Sequence, residues 1–307
     1  MLFNRSRLSL ATVAALGALF VGGLAQAADL VVKHKQGETT IAGTPQKVVV
    51  FDLASLDTLA ALGVEIQGVP GGVKPAYLSQ YSDDKYVKVG TLFEPDYEAV
   101  NAAAPDLIIV AGRSAAKYGE LAKIAPTIDL SVSADNFMDE AKNNVITLAT
   151  VFDKRSEADR LIGALDTSIA ALKASAADKG KGLLVLTTGG KMSAFGPGSR
   201  FGMIHSVYGV QPAAETTHVG NHGQAISFEY ILETDPDWLF VIDRDAAIGR
   251  EGTAAAQYLD NEIVQHTKAW KNGHVVYLDA ASWYLVGGGI TAIQNTVDQL
   301  TSALNKG

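Results

Sequence analysis

The chain lacks cysteine, has only six histidines among its 307 residues, and is poor in aromatic residues, which make up 7% of it. Without thiols it can form neither disulfide bonds nor the lipid anchor that some exported proteins carry on a cysteine. After residue 27 no apolar run approaches the roughly 18 to 20 residues that a bilayer-spanning helix needs. We therefore expect a globular protein without a membrane anchor.

Sequence signatures of common enzymes are also missing. There is no G-x-S-x-G nucleophile elbow, no Walker loop for phosphate and no dinucleotide-binding glycine pattern. Because these motifs supply the groups that carry out or support a reaction, no residue can be given a role in hydrolysis or redox chemistry. The sequence favours a binding protein over an enzyme.

The N-terminal residues have the features of a secretory signal peptide. Arg5 and Arg7 precede the apolar residues 8–24, and the AQA that follows is a small-x-small cleavage pattern. We expect residues 1–27 to be removed and the mature chain to be exported. A freely diffusing exported protein is retained only where a second membrane encloses it, which favours a Gram-negative periplasm.

The charge balance is acidic. The formal net charge of −8 becomes −10 when Arg5 and Arg7 are lost, because residues 1–27 contain no acid. Such a chain is a poor partner for nucleic acid or for an anionic membrane surface. Any anionic ligand must therefore be bound by cations placed locally.

Short apolar runs alternate with amphipathic stretches along the mature chain. Residues 47–63 (KVVVFDLASLDTLAALG) predict a buried strand followed by a helix that ends at glycine, and the same rhythm restarts after Gly180. Alternation of this kind implies a parallel sheet in each of two α/β lobes. Between them, residues 154–176 carry apolar side chains at helical spacing, which predicts one long helix. The expected organisation is an N-terminal lobe at 28–150, an interlobe helix at 151–178 and a C-terminal lobe at 179–307.

Two segments 131 positions apart have the same features in the same order. Residues 105–113 (PDLIIVAGR) and 236–244 (PDWLFVIDR) each open with Pro-Asp, continue as an apolar strand and close with arginine. In open parallel sheets, ligands bind outside the carboxyl ends of the strands. We therefore expect Arg113 and Arg244 to face a shared cleft, one from each lobe. The alternative is a pair of solvated loop arginines.

Together with EPDYEAVNAAAPDLIIVAGR, the segments GPGSRFGMIHSVYGV, ISFEYILETDPDWLFVIDR and ASWYLVGGGITAI resemble the class III periplasmic substrate-binding proteins of ABC transporters. The similarity is to the branch that binds ferric catecholate siderophores, of the enterobactin and petrobactin type. It implies two Rossmann-like lobes with parallel-type central sheets joined by one long backbone helix. It also implies a monomer without an intrinsic cofactor, an Fe(III)–siderophore complex as ligand, and the permease subunits of an ABC importer as partner.

The resemblance implies three arginines around the ligand, at Arg113, Arg200 and Arg244. A ferric catecholate keeps negative charge on oxygens attached to aromatic rings. Guanidinium can donate hydrogen bonds to such oxygens, can stack on the rings, and keeps its proton. For Arg200, which follows the turn GPGS, the alternative is an exposed residue at the start of a helix.

Some members of this branch bind the iron directly through a histidine and a tyrosine, and the matching positions are His222 and Tyr284. Ferric iron prefers anionic oxygen, so a phenolate suits it and an imidazole is acceptable. A tetradentate bis-catecholate leaves two coordination positions for this pair, whereas a hexadentate siderophore leaves none. The alternatives are a solvated loop imidazole for His222 and a packed ring with a satisfied hydroxyl for Tyr284.

Glu98 and Glu229 are also 131 positions apart. In related class III proteins, a glutamate at this spacing in each lobe pairs with arginines of the two permease subunits, and two equivalent carboxylates suit a pseudo-symmetric partner. The alternative is a pair of exposed helix glutamates. The remaining residues of interest are expected to be structural or on the surface, namely His205, His266, His274, Trp238 and Trp283.

Two other ligand classes occur on the same fold. Zinc or manganese receptors need three or four converging histidine and carboxylate ligands, often with a histidine-rich loop, and this chain has no such loop. Haem or cobalamin remains possible, but three arginines in the cleft favour a smaller and strongly anionic ligand.

Overall fold

The computed structural model describes residue 1, residues 29–215 and residues 221–306. The predicted signal peptide, residues 1–27, lies outside the described residues except for Met1. Within the described ranges, no helix is both long enough and apolar enough to cross a membrane.

The N-terminal lobe is built on a parallel sheet of strand order β5-β4-β3-β6-β7, with a separate antiparallel hairpin, β1-β2, beside it. The strands are β1 (Leu30–His34), β2 (Gly37–Ile41), β3 (Val48–Val50), β4 (Gly68–Val69), β5 (Val87–Lys88), β6 (Leu107–Val110) and β7 (Thr127–Asp129). The helices are α1 (Leu53–Ala61), α2 (Tyr97–Ala103), α3 (Tyr118–Leu121) and α4 (Phe137–Val151), with 3₁₀ turns at Ala76–Ser82 and Ala115–Lys117.

A single long helix, α5 (Arg155–Ala176), then leads to the C-terminal lobe. The strands of that lobe are β8 (Lys181–Thr188), β9 (Lys191–Phe195), β10 (Gln211–Pro212), β11 (Gln224–Ile226), β12 (Trp238–Asp243) and β13 (Val275–Tyr277). Its helices are α6 (Met203–Ser206), α7 (Phe228–Thr234), α8 (Arg244–Ala247), α9 (Ala255–Leu259), α10 (Glu262–Gln265), α11 (Lys268–Lys271), α12 (Ala280–Tyr284) and α13 (Ile290–Leu304).

The second sheet is mixed, which the alternating pattern did not predict. Its strands β8, β12 and β13 are parallel, as expected, and β10 also pairs with β8 in parallel. However, β9 folds back antiparallel on β8, and β11 adds antiparallel to β9. A tight turn at Gly189 and Gly190, both with positive φ, makes the β8–β9 hairpin possible. The chain therefore leaves β8 through a hairpin, whereas it leaves β3 through helix α1.

The central strands are apolar throughout because both faces of each sheet are covered. In β12, Trp238, Phe240 and Ile242 point into a core cluster shared by the two lobes, while Leu239 and Val241 point into an outer cluster of the C-terminal lobe. Strand β3 divides its side chains in the same way between the shared cluster and an outer cluster of the N-terminal lobe. A core that continues from lobe to lobe fixes their relative position.

The predicted interlobe helix is present as α5, which buries Ala158, Leu165, Leu172 and Ala176 along one face. This face belongs to the shared core, and the C-terminal helix α13 packs both on α5 and on α1 of the N-terminal lobe. At 1.5 Å per residue, α5 is about 30 Å long.

The 131-residue repeat is visible in the backbone. Helices α2 and α7 correspond position for position, and both end in a non-glycine residue of left-handed conformation, Ala104 at φ 45° and Asp235 at φ 42°. After each helix, the aspartate of the Pro-Asp pair accepts a hydrogen bond from a backbone N–H group at the start of the neighbouring strand. Asp106 accepts from Lys47 at 2.9 Å, and Asp237 accepts from Lys181 at 2.8 Å. The aspartate of the Pro-Asp motif therefore links two adjacent strands through a side-chain hydrogen bond.

Candidate ligand-binding cleft

The carboxyl ends of β3, β6, β7 and β8 open onto a cleft of about 890 Å³ with walls from both lobes. This is the place that the topology of open parallel sheets predicts for a ligand. The cleft wall contains every residue that the sequence suggested as a ligand contact: Arg113, Arg200, His222, Arg244 and Tyr284. The structure thus brings together residues that are up to 171 positions apart.

Tyr284 is the centre of this arrangement. Its backbone carbonyl oxygen accepts hydrogen bonds from Nη2 of Arg113 at 2.6 Å and from Nη2 of Arg200 at 3.0 Å. Its phenol oxygen accepts from Nε of Arg244 at 2.8 Å. One residue at the end of α12 therefore holds three guanidinium groups, one from the N-terminal lobe and two from the C-terminal lobe.

The guanidinium groups also lie close to aromatic rings. The central carbon of Arg200 is 4.5 Å from the centroid of the Tyr284 ring and 4.8 Å from that of Phe201. The corresponding distance to the Tyr284 ring is 5.4 Å for both Arg113 and Arg244. Contacts at this range are favourable cation–π interactions. They orient the guanidinium groups without neutralising them.

The positive charge of the cleft is compensated only in part by carboxylates of the protein. Among the described residues, Arg113 and Arg200 form no salt bridge, and the carboxylate of Asp245 lies 3.9 Å from Arg244. Burial, followed by the charge of Arg113, lowers the pKa of Arg200 below its ordinary value. An arginine stays protonated in proteins nevertheless, so the three like charges repel one another. An anion bound among them would relieve that repulsion.

The same charges act on the phenol. Burial by itself raises the pKa of Tyr284, but the hydrogen bond from Arg244 and the charges of Arg200 and Arg244 outweigh it, so the pKa lies below its ordinary value. The cleft therefore favours the phenolate more than water does, and phenolate is the form in which tyrosine binds ferric iron.

Each arginine is placed by a buried polar neighbour. Ser114, which follows Arg113, accepts a hydrogen bond from the backbone of Ala111 at 3.1 Å. Asp245, which follows Arg244, accepts from the backbone of Gly189 at 2.6 Å and so ties this loop to the end of β8. These two anchors are again 131 positions apart and follow the matched strands β6 and β12.

Arg200 has no counterpart in the repeat. It follows the turn GPGS, which closes when the hydroxyl of Ser199 donates to the carbonyl of Gly196 at 2.6 Å. Ser199 is buried, so the turn is fixed in the wall of the lobe. The helix that follows is α6, which covers only Met203–Ser206.

His222 is exposed and lies in the segment that leads into β11. It lines the cleft together with its neighbour Asn221. Its imidazole and the Tyr284 phenol therefore face the same space. Their role as iron ligands stays a prediction.

Glu98 and Glu229 do not line the cleft. Each is exposed in the first turn of its helix, α2 or α7, where Asp96 and Ser227 respectively act as N-caps. The hydrogen bond from Ser227 lowers the pKa of Glu229. The two carboxylates thus occupy equivalent surface positions on the two lobes.

Three further histidines have structural contacts. Burial lowers the pKa of His205, and Nδ1 of this ring bonds the carbonyl of Val210 at 2.9 Å. His274 stacks on Trp238 with 4.0 Å between ring centroids, and exposed His266 bonds the carbonyl of Glu262 at 2.5 Å.

Trp283 is 2% exposed and makes edge-to-face contacts with Phe201 and Tyr208. Its ring reaches the cleft wall, but nearly all of its surface is packed against the core.

Among the cleft residues that the sequence reasoning missed, two bear on the binding chemistry. The hydroxyl of Thr188 accepts a hydrogen bond from Nη1 of Arg244 at 3.2 Å. Its position at the carboxyl end of β8 was a usable signal. Phe93 also lines the cleft, and it lies in a loop without a recognisable motif.

No group of three or more histidine, cysteine, aspartate or glutamate residues within the described ranges is arranged to hold a metal ion.

Comparison with known proteins is consistent with this geometry. Residues 48–281 match the family model described as periplasmic binding protein. The chain is 44% identical over 283 residues to the petrobactin-binding protein YclQ of Bacillus subtilis, covering 91% of this chain and 89% of that protein. It is 34% identical to the ferric-anguibactin-binding protein FatB of Vibrio anguillarum, with 88% of this chain and 86% of that protein covered.

Solved structures are similar over both lobes. The crystal structure of YclQ superposes with a TM-score of 0.88 at 43% identity, covering 91% of this chain and 100% of that one. The periplasmic catecholate-siderophore binding protein VctP of Vibrio cholerae superposes with a TM-score of 0.85 at 34% identity, covering 90% and 100%.

Proposed function

The chain belongs to the periplasmic binding protein family, and from this premise we propose that it captures a ferric catecholate siderophore and delivers it to an ABC importer for iron uptake. Membership confirms the resemblance read from the sequence, the class III fold and the prediction of a transporter's binding protein rather than an enzyme. The protein acts outside the cytoplasm. We place it in a Gram-negative periplasm because of its signal sequence and its lack of a cysteine for lipid attachment.

The observation that carries the proposal is the group of three guanidinium ions around Tyr284 in a cleft of about 890 Å³. A ferric catecholate presents negative oxygens on aromatic rings, which these groups can both hydrogen-bond and stack upon. Charge-assisted hydrogen bonds of this kind are worth about 1.5–3 kcal/mol each. The names of YclQ and VctP, petrobactin-binding and catecholate-siderophore binding, support the same ligand class.

We further propose a preference for a tetradentate bis-catecholate, with His222 and Tyr284 filling the two open positions on iron. The support is that both side chains line the cleft and that the pKa of Tyr284 is lowered. On binding iron, the phenolate would exchange its hydrogen bond from Arg244 for a bond to the metal. Arg244 would then be free to donate to a catecholate oxygen.

Spectroscopic titration of the mature protein tests both proposals. Tryptophan fluorescence is followed with ferric bis-catecholate, ferric tris-catecholate, ferric hydroxamate, haemin and zinc. We expect the bis-catecholate to bind most tightly and its charge-transfer band to change on binding, because a phenolate replaces water on iron. Haemin or zinc binding more tightly than any catecholate would refute the ligand class.

Single substitutions then separate the iron ligands from the arginines. Tyr284→Phe and His222→Ala should each weaken the bis-catecholate complex and return its spectrum toward that of the free complex, with little effect on the tris-catecholate. Tyr97→Phe and His266→Ala are matched controls, because both residues are exposed and lie outside the cleft. A spectrum that is unchanged when the parent protein binds would make the arginines the whole of the site.

A further inference from the structure

Phe93 is unusual among the aromatic residues of the cleft. It lines the cleft, and 57% of its surface is nevertheless exposed. Phe195, Phe201 and Trp283 also reach the cleft wall, but they are 2% exposed and packed edge-to-face against one another or against the core. Phe137 also lines the cleft, but it is partly buried against the shared core, and the Tyr284 ring is surrounded by guanidinium groups. Phe93 is therefore the cleft phenyl ring with the most free surface.

The loop that carries Phe93 is held in shape by hydrogen bonds. The hydroxyl of Thr91 accepts from the backbone N–H of Phe93 at 3.2 Å and from that of Glu94 at 3.0 Å. The N–H of Thr91 in turn donates to the carbonyl of Glu94 at 2.8 Å, and the Glu94 side chain pairs with Lys117 at 2.8 Å. These contacts close a tight turn with Phe93 near its tip.

The start of the loop is fixed as well. Gly90 has φ 110°, and a Cβ atom there would lie 2.4 Å from the carbonyl oxygen of Glu94. Only glycine fits this conformation and this space. The ring of Phe93 is thus presented by a preorganised turn and does not fold back onto the protein. Because the turn already holds the ring in the cleft wall, a contact with a ligand there would cost little ordering.

We propose that Phe93 is a specificity-determining residue whose ring packs against an aromatic ring of the bound ligand. This inference rests on the proposed function and adds to it a contact from the N-terminal lobe. Arginines attract any compact anion, including carboxylates, so they do not by themselves select a catecholate. A phenyl ring gains a stacked or edge-to-face contact only from a ligand that carries rings.

Substitution of Phe93 in the mature protein tests the proposal, with the iron(III) complex of a synthetic bis(2,3-dihydroxybenzamide) as probe. We expect Phe93→Ala to weaken binding about ten-fold, from the lost ring contact and the lost apolar burial. Phe93→Leu, which keeps apolar volume without a ring, should recover only a small part of this loss. Phe93→Tyr should bind like the parent.

Tyr97→Leu is the matched control, because Tyr97 is an aromatic residue 38% exposed on α2 and outside the cleft. Circular dichroism and the melting temperature establish that each variant is folded. Parent-like binding by Phe93→Ala would overturn the proposal, and so would parent-like binding by Phe93→Leu, which would show that any apolar side chain suffices. A parent protein that does not bind the probe would instead refute the proposed function itself.

Discussion

The two lobes share one structural unit and use it differently. In both, a short capped helix leads to a buried strand that is followed by an arginine, with an offset of 131 residues. The chain then differs at the strand paired with this one. In the N-terminal lobe β3 continues into helix α1, whereas in the C-terminal lobe β8 turns back into β9. The repeat thus supplies one arginine per lobe, and the hairpin makes the rest of the site asymmetric.

Because of this difference, the two lobes contribute different residues to the cleft. The region after β9 carries Arg200 and His222, so the C-terminal lobe holds two of the three arginines and both candidate iron ligands. The N-terminal lobe supplies Arg113 and Phe93 to the cleft, and its helix α1 anchors the start of α13 through Asp57. The candidate iron ligands and two of the arginines thus belong to one lobe, whereas the other contributes one arginine, two phenyl rings, polar side chains and a support.

Removing arginines is the strongest test of this division. Each of Arg113→Ala, Arg200→Ala and Arg244→Ala should weaken ferric catecholate binding by about 1.5–3 kcal/mol. Arg200 should lie at the upper end, because its guanidinium is closest to the Tyr284 ring. Lysine should rescue only partly because it lacks the planar fork. Affinities are measured by fluorescence titration, with Arg160→Ala, on the exposed face of α5, as control.

The double variant Arg200→Ala with Arg244→Ala should lose more affinity for the ferric catecholate than the single variant Arg113→Ala, because two of the three cations come from the C-terminal lobe. The two losses need not add, because both residues contact Tyr284. If Arg113→Ala binds the ligand more weakly than this double variant does, the N-terminal lobe contributes more to binding than the C-terminal lobe. If all three single alanine variants bind like the parent, the arginines are not part of the binding site.

Much of the repeated unit could be predicted because its signals are local. Strands β6 and β12 are apolar runs buried on both faces, and the Pro-Asp before each marks where a helix ends. The long helix α5 followed from its apolar spacing. The position of the arginines then followed from the rule for parallel strand ends.

The asymmetric parts could not be predicted from the same signals. Strand β9 (KMSAF) is short, and nothing local shows that it pairs antiparallel with β8. Residues 226–234 form one stretch with apolar side chains, but Ile226 ends β11 and the helix begins at Phe228, after the cap at Ser227. That Tyr284 gathers three arginines depends on packing between distant segments.

A smaller effect is expected at the support between the lobes. Asp57 of α1 is fully buried and accepts hydrogen bonds from the backbone of Thr291 at 2.8 Å and of Ala292 at 3.0 Å, and from the hydroxyl of Tyr77 at 2.7 Å. Gly289 lies so close that a Cβ atom there would be 2.5 Å from the carboxyl carbon. The carboxylate therefore caps α13 just after the segment that carries Tyr284.

Burial raises the pKa of Asp57 from 3.8 to about 6, although its hydrogen bonds act to lower it. Between these two pH values the folded protein holds a proton at Asp57 that the unfolded chain releases. The stability contributed by this protonation is complete below about pH 4 and is lost as the pH rises through 6. From pH 7 to pH 5, the parent should therefore gain about 1 kcal/mol relative to Asp57→Asn, which does not titrate.

Melting temperatures of the parent and of Asp57→Asn at pH 5, 6 and 7 measure this difference. The gap in favour of the parent should widen as the pH falls. A gap that narrows on acidification would mean that the folded state prefers the ionised carboxylate. In that case the capping hydrogen bonds outweigh the cost of burial, and the support is an ordinary helix cap.

The smallest effect on ligand binding is expected where the lobes are most alike. Glu98 and Glu229 occupy the same position in the first turn of matched helices, are exposed, and lie outside the cleft. We propose that each meets a basic residue of one permease subunit, since two equivalent carboxylates suit a pseudo-symmetric partner.

Glu98→Ala and Glu229→Ala should leave siderophore affinity in solution unchanged and reduce uptake through the importer. Uptake is measured in transporter-containing vesicles with Glu120→Ala, an exposed glutamate of α3, as control. Because the repeat makes the two sites equivalent, the double variant should lose more uptake than either single one. If a variant loses ligand affinity in step with uptake, its glutamate contributes to ligand binding and not to docking. The two lobes would then be equivalent in backbone structure but not in the role of this glutamate.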